Sequence, residues 1–201
     1  MKKTLLICFC VLGFSVSAQS FTDKNLQQSV LQINTAKTAS DYEALFKKFS
    51  ESKTTERWQA YYYAAVSMYL KTESSIKKGN NSSLAGSNAL ADKFAMGALG
   101  TQHSNDEIEI LLGLIHLQKV ALNTSTNVQK DVKAASDYIS KLESTSSNNP
   151  RLSILKARMA QQANNTTEAE NFYQKALTEF SVAASSNTSP TWGSQLIKSK
   201  N

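Results

Sequence analysis

Beyond residue 20 the sequence is a series of segments in which apolar residues recur every three or four positions, separated by short runs of Ser, Thr and Asn. This spacing puts the apolar side chains on one face of a helix. The chain contains only two prolines and seven glycines, so few positions interrupt a helix. No run alternates apolar and polar residues between turn signals, as a half-buried strand does. The sequence therefore predicts an all-α protein.

Helix boundaries follow from the residue types that cap helices. Asn149 precedes Pro150, which places a capping side chain before a proline at the first helical position. Ser40, Ser104 and Thr167 are each followed three residues later by Glu, the spacing of a capping box. These signals and the apolar periodicity predict about eight helices, at residues 23–36, 41–52, 56–78, 84–99, 105–122, 128–144, 150–163 and 167–184.

Small residues recur in both helices of each of the last three predicted helix pairs. Because two helices approach closely only where the side chains between them are small, these positions indicate the contacts within a stacked array. They form two sets, Ala64-Ala65, Gly113 and Ala157 in the first helices and Ala91, Ala135 and Ala169 in the second. The recurrence predicts repeated helix pairs joined by turns of unequal length.

The N-terminus has the three regions of a secretory signal peptide. Two lysines precede an apolar run at residues 4–14, and small residues follow up to Ala18. The run is shorter than the roughly 20 residues that span a bilayer. We expect cleavage between Ala18 and Gln19, so that residues 1–18 are the signal peptide and no stable membrane span remains. The predicted location is the periplasm, the cell surface or the medium.

Both cysteines of the chain, Cys8 and Cys10, lie within the predicted signal peptide. A lipid anchor on either one is disfavoured by the bulky residues Ile7 and Phe9 that precede them. Cleavage leaves no thiol, which excludes disulfides, thiolate metal sites and a cysteine nucleophile.

The charge of the cleaved chain is only mildly basic. Removing two lysines from 22 basic residues leaves 20 against 16 acidic residues, a net charge of +4. The lysines are dispersed and form no basic stripe, so nucleic acid is not an expected partner.

Candidate catalytic chemistry is sparse. His116 falls in an apolar stripe with no acidic residue three or four positions away, which favours a packing role. His103 lies near Asp106 and Glu107, but these acids suit the positive end of a helix dipole and no further nitrogen or sulfur ligand is close in sequence. Common hydrolase, zinc-protease, phosphate-loop and calcium-loop motifs are missing from the sequence. We predict no catalytic residue, no metal site and no cofactor.

The unit at residues 150–180 resembles a tetratricopeptide repeat. Ala157 occupies the small position of the motif's first helix, and Ala169 and Ala176 occupy the alanine positions of its second helix. Ser181 departs from the motif, which commonly ends in proline. The resemblance implies a right-handed, solenoid-like array of antiparallel helix pairs.

The chain as a whole then divides into a signal peptide, an N-terminal hairpin, three tetratricopeptide-like pairs and a tail. Their expected ranges are 19–54 for the hairpin, 55–186 for the pairs (about 55–100, 104–145 and 149–184) and 187–201 for the tail. More narrowly, the chain resembles exported tetratricopeptide-type proteins of the Bacteroidota. The segments that carry this resemblance are Ser17-Ala18-Gln19, Trp58 to Ala65, Glu107 to Leu111, Asn149-Pro150-Arg151 and Pro190 to Gly193. It implies fold and export and no particular activity.

In tetratricopeptide arrays the first helix of each pair lines the concave side, where ligands bind. The resemblance therefore implies a binding groove whose candidate partner-binding residues are Gln59, Tyr62, Tyr69, Glu107, Arg151, Arg158 and Gln161. Tyrosine and arginine are enriched at binding hot spots. We predict a non-enzymatic module that binds a protein or peptide of the cell envelope. An open groove also predicts that Tyr62→Ala or Arg158→Ala leaves thermal melting nearly unchanged and abolishes partner binding.

Two other functions fit the same sequence. An envelope enzyme or small-ligand binder would use His116 and the tyrosine-rich helix around Tyr62, and an enclosed polar pocket at His116 would favour it. A structural component would assemble with copies of itself through the edge near Trp192. We expect Trp192 to fold back over the final helices instead, because terminal repeats need covering.

Overall fold

The computed structural model describes residues 21–76, 84–184 and 192–197, and the predicted signal peptide lies outside these ranges. The described residues form eight α-helices and one turn of 3₁₀ helix and contain no strand, which confirms the all-α prediction. The helices are α1 (Lys24–Gln32), α2 (Ala39–Ser50), α3 (Arg57–Ile76), α4 (Leu84–Thr101), α5 (Asp106–Ala121), α6 (Val128–Leu142), α7 (Pro150–Gln162) and α8 (Thr166–Ala184). The 3₁₀ turn is Ser194–Leu196.

The predicted helix bounds agree with these within two residues, except that α1 ends at Gln32 and not at residue 36. Three caps also differ from the predicted ones. Thr38, and not Ser40, caps α2, while Asn105 caps α5 and the Asn165 side chain accepts an N–H in the first turn of α8. A cap needs an extended backbone as well as a short polar side chain, and Thr38 and Asn105 supply both. Asn149 caps α7 as predicted.

The helices pack as consecutive pairs. α3 packs against α4, α5 against α6 and α7 against α8, while α2 packs on α3 and α1 on α2. α5 also contacts α3 and α7, so the first helices of the three pairs are neighbours. α3 and α5 are buried around most of their circumference, as expected for interior helices. No described helix is long and apolar enough to cross a membrane.

The recurring small residues lie where the helices approach closely. All the recurring alanines are buried, namely Ala64, Ala65, Ala91, Ala135, Ala157 and Ala169. Gly113 of α5 lies so near Leu155 of α7 that an added Cβ would be 2.7 Å from the Leu155 Cδ2 atom. A larger residue would displace Leu155 or separate the two helices. Small side chains therefore set the spacing of the first helices.

Candidate functional site

A carboxylate at the start of α5 joins the first helices of the three pairs. Glu107 accepts hydrogen bonds from the Tyr62 hydroxyl of α3 at 3.0 Å and from the side-chain amide of Asn149 at 2.7 Å. The Arg151 Nη1 atom of α7 lies 3.2 Å from the same carboxylate. Arg151 is 2% exposed, so a buried cation is neutralised inside the protein. We call Tyr62, Glu107, Asn149 and Arg151 the Glu107 cluster.

A second polar cluster lies about three turns further along α3 and α5. Glu73 accepts from the Gln118 side-chain amide at 2.8 Å and from the Arg158 guanidinium at 2.7 Å. Gln118 also donates to the Tyr69 carbonyl at 3.2 Å and accepts from the Asn88 side chain at 3.0 Å. We call Glu73, Asn88, Gln118 and Arg158 the Glu73 cluster.

The two clusters show how the first helices are aligned. Each cluster takes a residue from α3, one from α5 and one from α7, in the same order along the three helices. The three helices therefore run in the same direction, as successive antiparallel pairs require. We call the surface of α3 and α7 that bears Tyr62, Tyr69 and Arg151 the first-helix face.

The first-helix face is covered by the chain's own residues 192–197, which we call the C-terminal segment. The Trp192 Nε1 atom donates to the Tyr62 hydroxyl at 2.9 Å, and the Trp192 carbonyl accepts from the Arg151 Nε atom at 3.0 Å. The indole ring lies 6.3 Å from the Tyr69 ring and 5.2 Å from the Arg151 guanidinium carbon. These distances are typical of aromatic and cation–π contacts. A flat aromatic group thus fills the face.

The rest of the C-terminal segment turns sharply after Trp192. Gly193 has a φ of +117°, which L side chains rarely adopt, and a Cβ at this position would lie 3.0 Å from the Phe180 ring of α8. Leu196 is buried, whereas Ser194 and Gln195 are exposed. The segment therefore contacts the first and the last helix pair at once.

A pocket of about 270 Å³ adjoins the C-terminal segment. Its lining residues come from α2 and the turn before it, from α3 and from the segment itself: Ala36, Lys37, Tyr42, Leu70, Glu73, Ser74, Gln195 and Leu196. Glu73 also belongs to the Glu73 cluster, so the pocket borders the first-helix face. The volume lies below the roughly 300 to 1,000 Å³ of typical ligand sites.

Burial raises the pKa of the tyrosines around this face. For Tyr62 the loss of hydration is the largest cause and the Glu107 charge adds to it, while the Arg151 charge and the hydrogen bond from Trp192 oppose the increase. For Tyr69 burial is again the largest cause of the raised pKa. These phenols therefore stay protonated and act as neutral hydrogen-bonding groups near neutral pH.

We expect the free energy of unfolding to decrease as the pH rises above 10, the ordinary pKa of tyrosine. In that range the unfolded chain loses phenolic protons that Tyr62 and Tyr69 retain when folded, so rising pH favours the unfolded state. Below that range their raised pKa values add no pH dependence. Urea midpoints measured in small pH steps test this. Ionisation of all seven tyrosines at the ordinary pKa, with the fold intact, would contradict it.

The predicted groove residues differ in how far they are buried. Gln59, Tyr62, Tyr69 and Arg151 are buried, Glu107 and Arg158 are partly exposed, and Gln161 is exposed and accepts from the Tyr173 hydroxyl. The structure brings three of them together in the Glu107 cluster and places Arg158 in the Glu73 cluster. Gln59 and Gln161 belong to neither cluster. The chain itself thus covers the face for which an open groove is expected.

The structure corrects one sequence prediction at this site and adds two residues that were not predicted. Trp192 packs on Tyr62 and Tyr69 of α3 and does not simply cover the final helices, because the Tyr62 hydroxyl there accepts the indole N–H. Glu73 and Gln118 were not predicted, although each continues the apolar stripe of its helix, four residues after Tyr69 and three after the apolar residue at position 115. A polar residue inside an apolar stripe is the signal that indicates such a buried network.

His116 forms a pair with an acid on the neighbouring helix. Its Nδ1 atom lies 2.7 Å from Asp131 Oδ1, and the Ser125 hydroxyl donates to Asp131 Oδ2 at 2.6 Å. The carboxylate is therefore in the middle, whereas a serine nucleophile needs the histidine in the middle. Burial acts to raise the pKa of Asp131, but the hydrogen bonds and the Lys119 charge hold it below its ordinary value.

Metal binding also lacks a suitable arrangement in the part of the chain that the structure describes. No three His, Cys, Asp or Glu side chains are grouped there so that they could hold an ion. His103 is exposed in the turn before α5, well separated in sequence from His116.

The described residues define an all-α array of helix pairs whose first-helix face holds a flat aromatic group. Among solved structures, the chain is similar to the HusA haemophore from Porphyromonas gingivalis, with a TM-score of 0.68 and 21% sequence identity over 87% of this chain and 88% of that chain. This likeness shows a shared fold, and Porphyromonas gingivalis is a member of the Bacteroidota. No protein-family model and no curated protein matches the sequence.

Proposed function

We propose that the protein is a non-enzymatic binding protein of the cell envelope that takes a flat, largely apolar ligand with carboxylate groups, of the haem type, on its first-helix face. The observation that carries this proposal is the indole of Trp192, which packs against Tyr62, Tyr69 and Arg151. Side chains that pack around one flat aromatic ring can pack around another flat ring system of a ligand. The shared fold with a haemophore supports the same ligand class.

The charges around the face suit a ligand that carries carboxylates. The Arg151 Nη2 atom is buried and has no hydrogen-bond partner, and the same holds for the Arg158 Nε atom. Lys37 adds a cation at the adjoining pocket. Guanidinium groups bind carboxylates through paired N–H donors. Ring contacts combined with unsatisfied guanidinium N–H donors match the faces and the acidic edge of a porphyrin.

On the described part of this face, the Tyr62 hydroxyl is already engaged, because it is bonded to both Glu107 and Trp192. His116 is paired with Asp131. We therefore expect the ring and its carboxylates to carry recognition, so that iron-free protoporphyrin binds about as well as haem.

A titration of the chain from Gln19 onward with haem and with iron-free protoporphyrin tests the proposal. We expect a shift of the porphyrin absorbance band and quenching of Trp192 fluorescence, because the ligand approaches the indole site. A Trp58→Phe background leaves Trp192 as the sole tryptophan. Arg158→Gln is expected to weaken binding about tenfold or more, since a hydrogen bond to a charged group contributes roughly 1.5–3 kcal/mol.

The matched control is Lys133→Gln, which removes an exposed cation that pairs with Asp137 on α6. This variant should bind as the parent does. If neither porphyrin changes the absorbance or the fluorescence, the proposed function is wrong. If Arg158→Gln and Lys133→Gln bind equally well, the ligand does not use the Arg158 guanidinium beside the first-helix face.

A protein or peptide ligand is the second candidate, as the sequence predicts for the concave side of the array. It is favoured because the present occupant of the face is itself a peptide, whose Trp192 carbonyl accepts from Arg151. A labelled peptide with the sequence of residues 192–197 tests it when added in excess. Saturable binding that a scrambled peptide lacks supports peptide recognition, and equal binding of the two peptides contradicts it.

The proposed function includes export through residues 1–18 and a tetratricopeptide type of array. Both rest on the sequence, the first on the order of charged, apolar and small residues and the second on the unit at residues 150–180. The lack of catalysis belongs to the same proposal and rests on the order of Ser125, Asp131 and His116.

A further inference from the structure

We propose that the C-terminal segment is a reversible internal ligand, which occupies the position of the external one and must leave the first-helix face before that ligand binds. The identity of the external ligand rests on the proposed function. The opening of the segment does not rest on the proposed function, because a probe on the segment itself can detect it.

The site on the first-helix face is full. Trp192 is 1% exposed, and its indole N–H and its carbonyl are both bonded to the first-helix face, at Tyr62 and Arg151. A second flat group has no room against Tyr62 and Tyr69 while the indole is there. The adjoining pocket of about 270 Å³ is also closed on one side by Gln195 and Leu196. Binding therefore requires the segment to move.

The guanidinium of Arg151 is only partly satisfied while the segment is seated. Its Nη1 atom lies against Glu107, its Nε atom donates to the Trp192 carbonyl, and its Nη2 atom is buried without a hydrogen-bond partner. Nε and Nη2 form one edge of the guanidinium, the edge that binds a carboxylate through two parallel hydrogen bonds. A single carbonyl uses half of this edge. A carboxylate that replaced it would satisfy both nitrogens.

The C-terminal segment is a short stretch of six residues. Two buried side chains, Trp192 and Leu196, and the partly buried Ile197 anchor it, whereas the side chains of Ser194 and Gln195 are exposed. It belongs to no helix pair. Short segments with few buried contacts open at a lower free energy than the whole protein unfolds.

The first-helix face persists when the segment leaves. The Glu107 and Glu73 clusters connect α3, α5 and α7 through side chains of these helices and of α4 and the α7 cap. None of those bonds involves residues 192–197. Opening therefore exposes a formed site with Tyr62 and Tyr69 in place.

The test uses Gly193→Ala in the chain from Gln19 onward. Alanine is strained at this φ and its Cβ would lie 3.0 Å from the Phe180 ring, so we expect the segment to be unseated, while Trp192 and the residues of the first-helix face keep their identities. A segment that covers the site reduces the apparent affinity by the open fraction, so we expect porphyrin binding to tighten by about tenfold to a hundredfold. The control is Gly100→Ala on α4, where an added Cβ meets nothing within 4 Å.

A second measurement follows the segment directly. The chain from Gln19 onward contains no cysteine, so Ser194→Cys carries a single spin label on the exposed part of the segment. We expect an immobilised label without ligand and a mobile one when porphyrin is bound. A label at Ser140→Cys on the exposed side of α6 should not change.

The outcomes separate this inference from the proposed function. Tighter binding by Gly193→Ala together with a mobile Ser194 label supports displacement. Unchanged or weaker binding by Gly193→Ala, or a label that stays immobilised at saturation, overturns displacement and leaves porphyrin binding intact. If neither the parent nor Gly193→Ala binds porphyrin, the proposed function is wrong. Displacement is then tested with an excess of the peptide of residues 192–197, and a Ser194 label that stays immobilised in its presence overturns displacement as well.

Discussion

Replacing Tyr62 with alanine is expected to lower the free energy of unfolding by about 3–5 kcal/mol, the range for removing a large buried aromatic side chain. Tyr62 is 0% exposed, and its ring lies 5.0 Å from the Tyr63 ring. Its hydroxyl donates to Glu107 and accepts from Trp192. Alanine would leave a cavity between three helices and remove both hydrogen bonds. Denaturant unfolding followed by circular dichroism measures the loss.

Tyr62→Phe separates the two contributions, because it keeps the ring and removes only the hydroxyl. We expect a loss of about 1–3 kcal/mol, since the Trp192 N–H and Glu107 each lose a partner in a buried place. Tyr61→Ala is the positional control, because Tyr61 is partly exposed on the same helix. Its replacement should lower the free energy of unfolding by less than Tyr62→Ala does. An open groove predicts nearly unchanged melting for Tyr62→Ala. If that variant melts as the parent does, Tyr62 is not buried as the structure has it.

Arg151→Met is expected to cost about 3–5 kcal/mol, the range for removing one partner of a buried ion pair. Methionine fills a similar length but leaves the Glu107 carboxylate without its cation and the Trp192 carbonyl without a donor. It also removes the cation–π contacts with Trp192 and Phe180. Urea unfolding of the variant against the parent measures the change.

The double variant Glu107→Gln with Arg151→Met shows whether charge is the cause. Glutamine can still accept from Tyr62 and Asn149, and it no longer needs a cation. We expect the double variant to be more stable than the sum of the single effects predicts, with a coupling of about 0.5–3 kcal/mol. Strictly additive losses would mean that the pair contributes through packing alone.

The helices could be predicted because their signals are local. A three- or four-residue apolar period, a cap and a short polar turn act within one or two turns of chain, and they gave seven of the eight helices with bounds correct within two residues. The recurring alanines and Gly113 were also informative, because a helix interior has few reasons to keep a position small. Caps were less certain, since adjacent Ser, Thr and Asn residues compete for the same role, as at Thr38 and Ser40.

The site could not be predicted to the same extent, because its contacts join distant parts of the chain. The bond between Trp192 and Tyr62 spans 130 positions, and that between Arg158 and Glu73 spans 85. Sequence periodicity identifies which face of α3 is apolar, but which residues cover that face depends on where the C-terminal segment packs. His116 has no acidic residue three or four positions away in the sequence, and its partner Asp131 comes from the next helix.

The return of Trp192 to α3 also limits how the array can grow. A stack of helix pairs with two free ends can gain or lose a pair, because each pair contacts only its neighbours. Here the C-terminal segment contacts α3 in the first pair and α8 in the last. An inserted fourth pair would carry Trp192 away from Tyr62 by the width of that pair. While the C-terminal segment is seated, the bond between Trp192 and Tyr62 therefore ties the number of helix pairs from α3 to α8 to three.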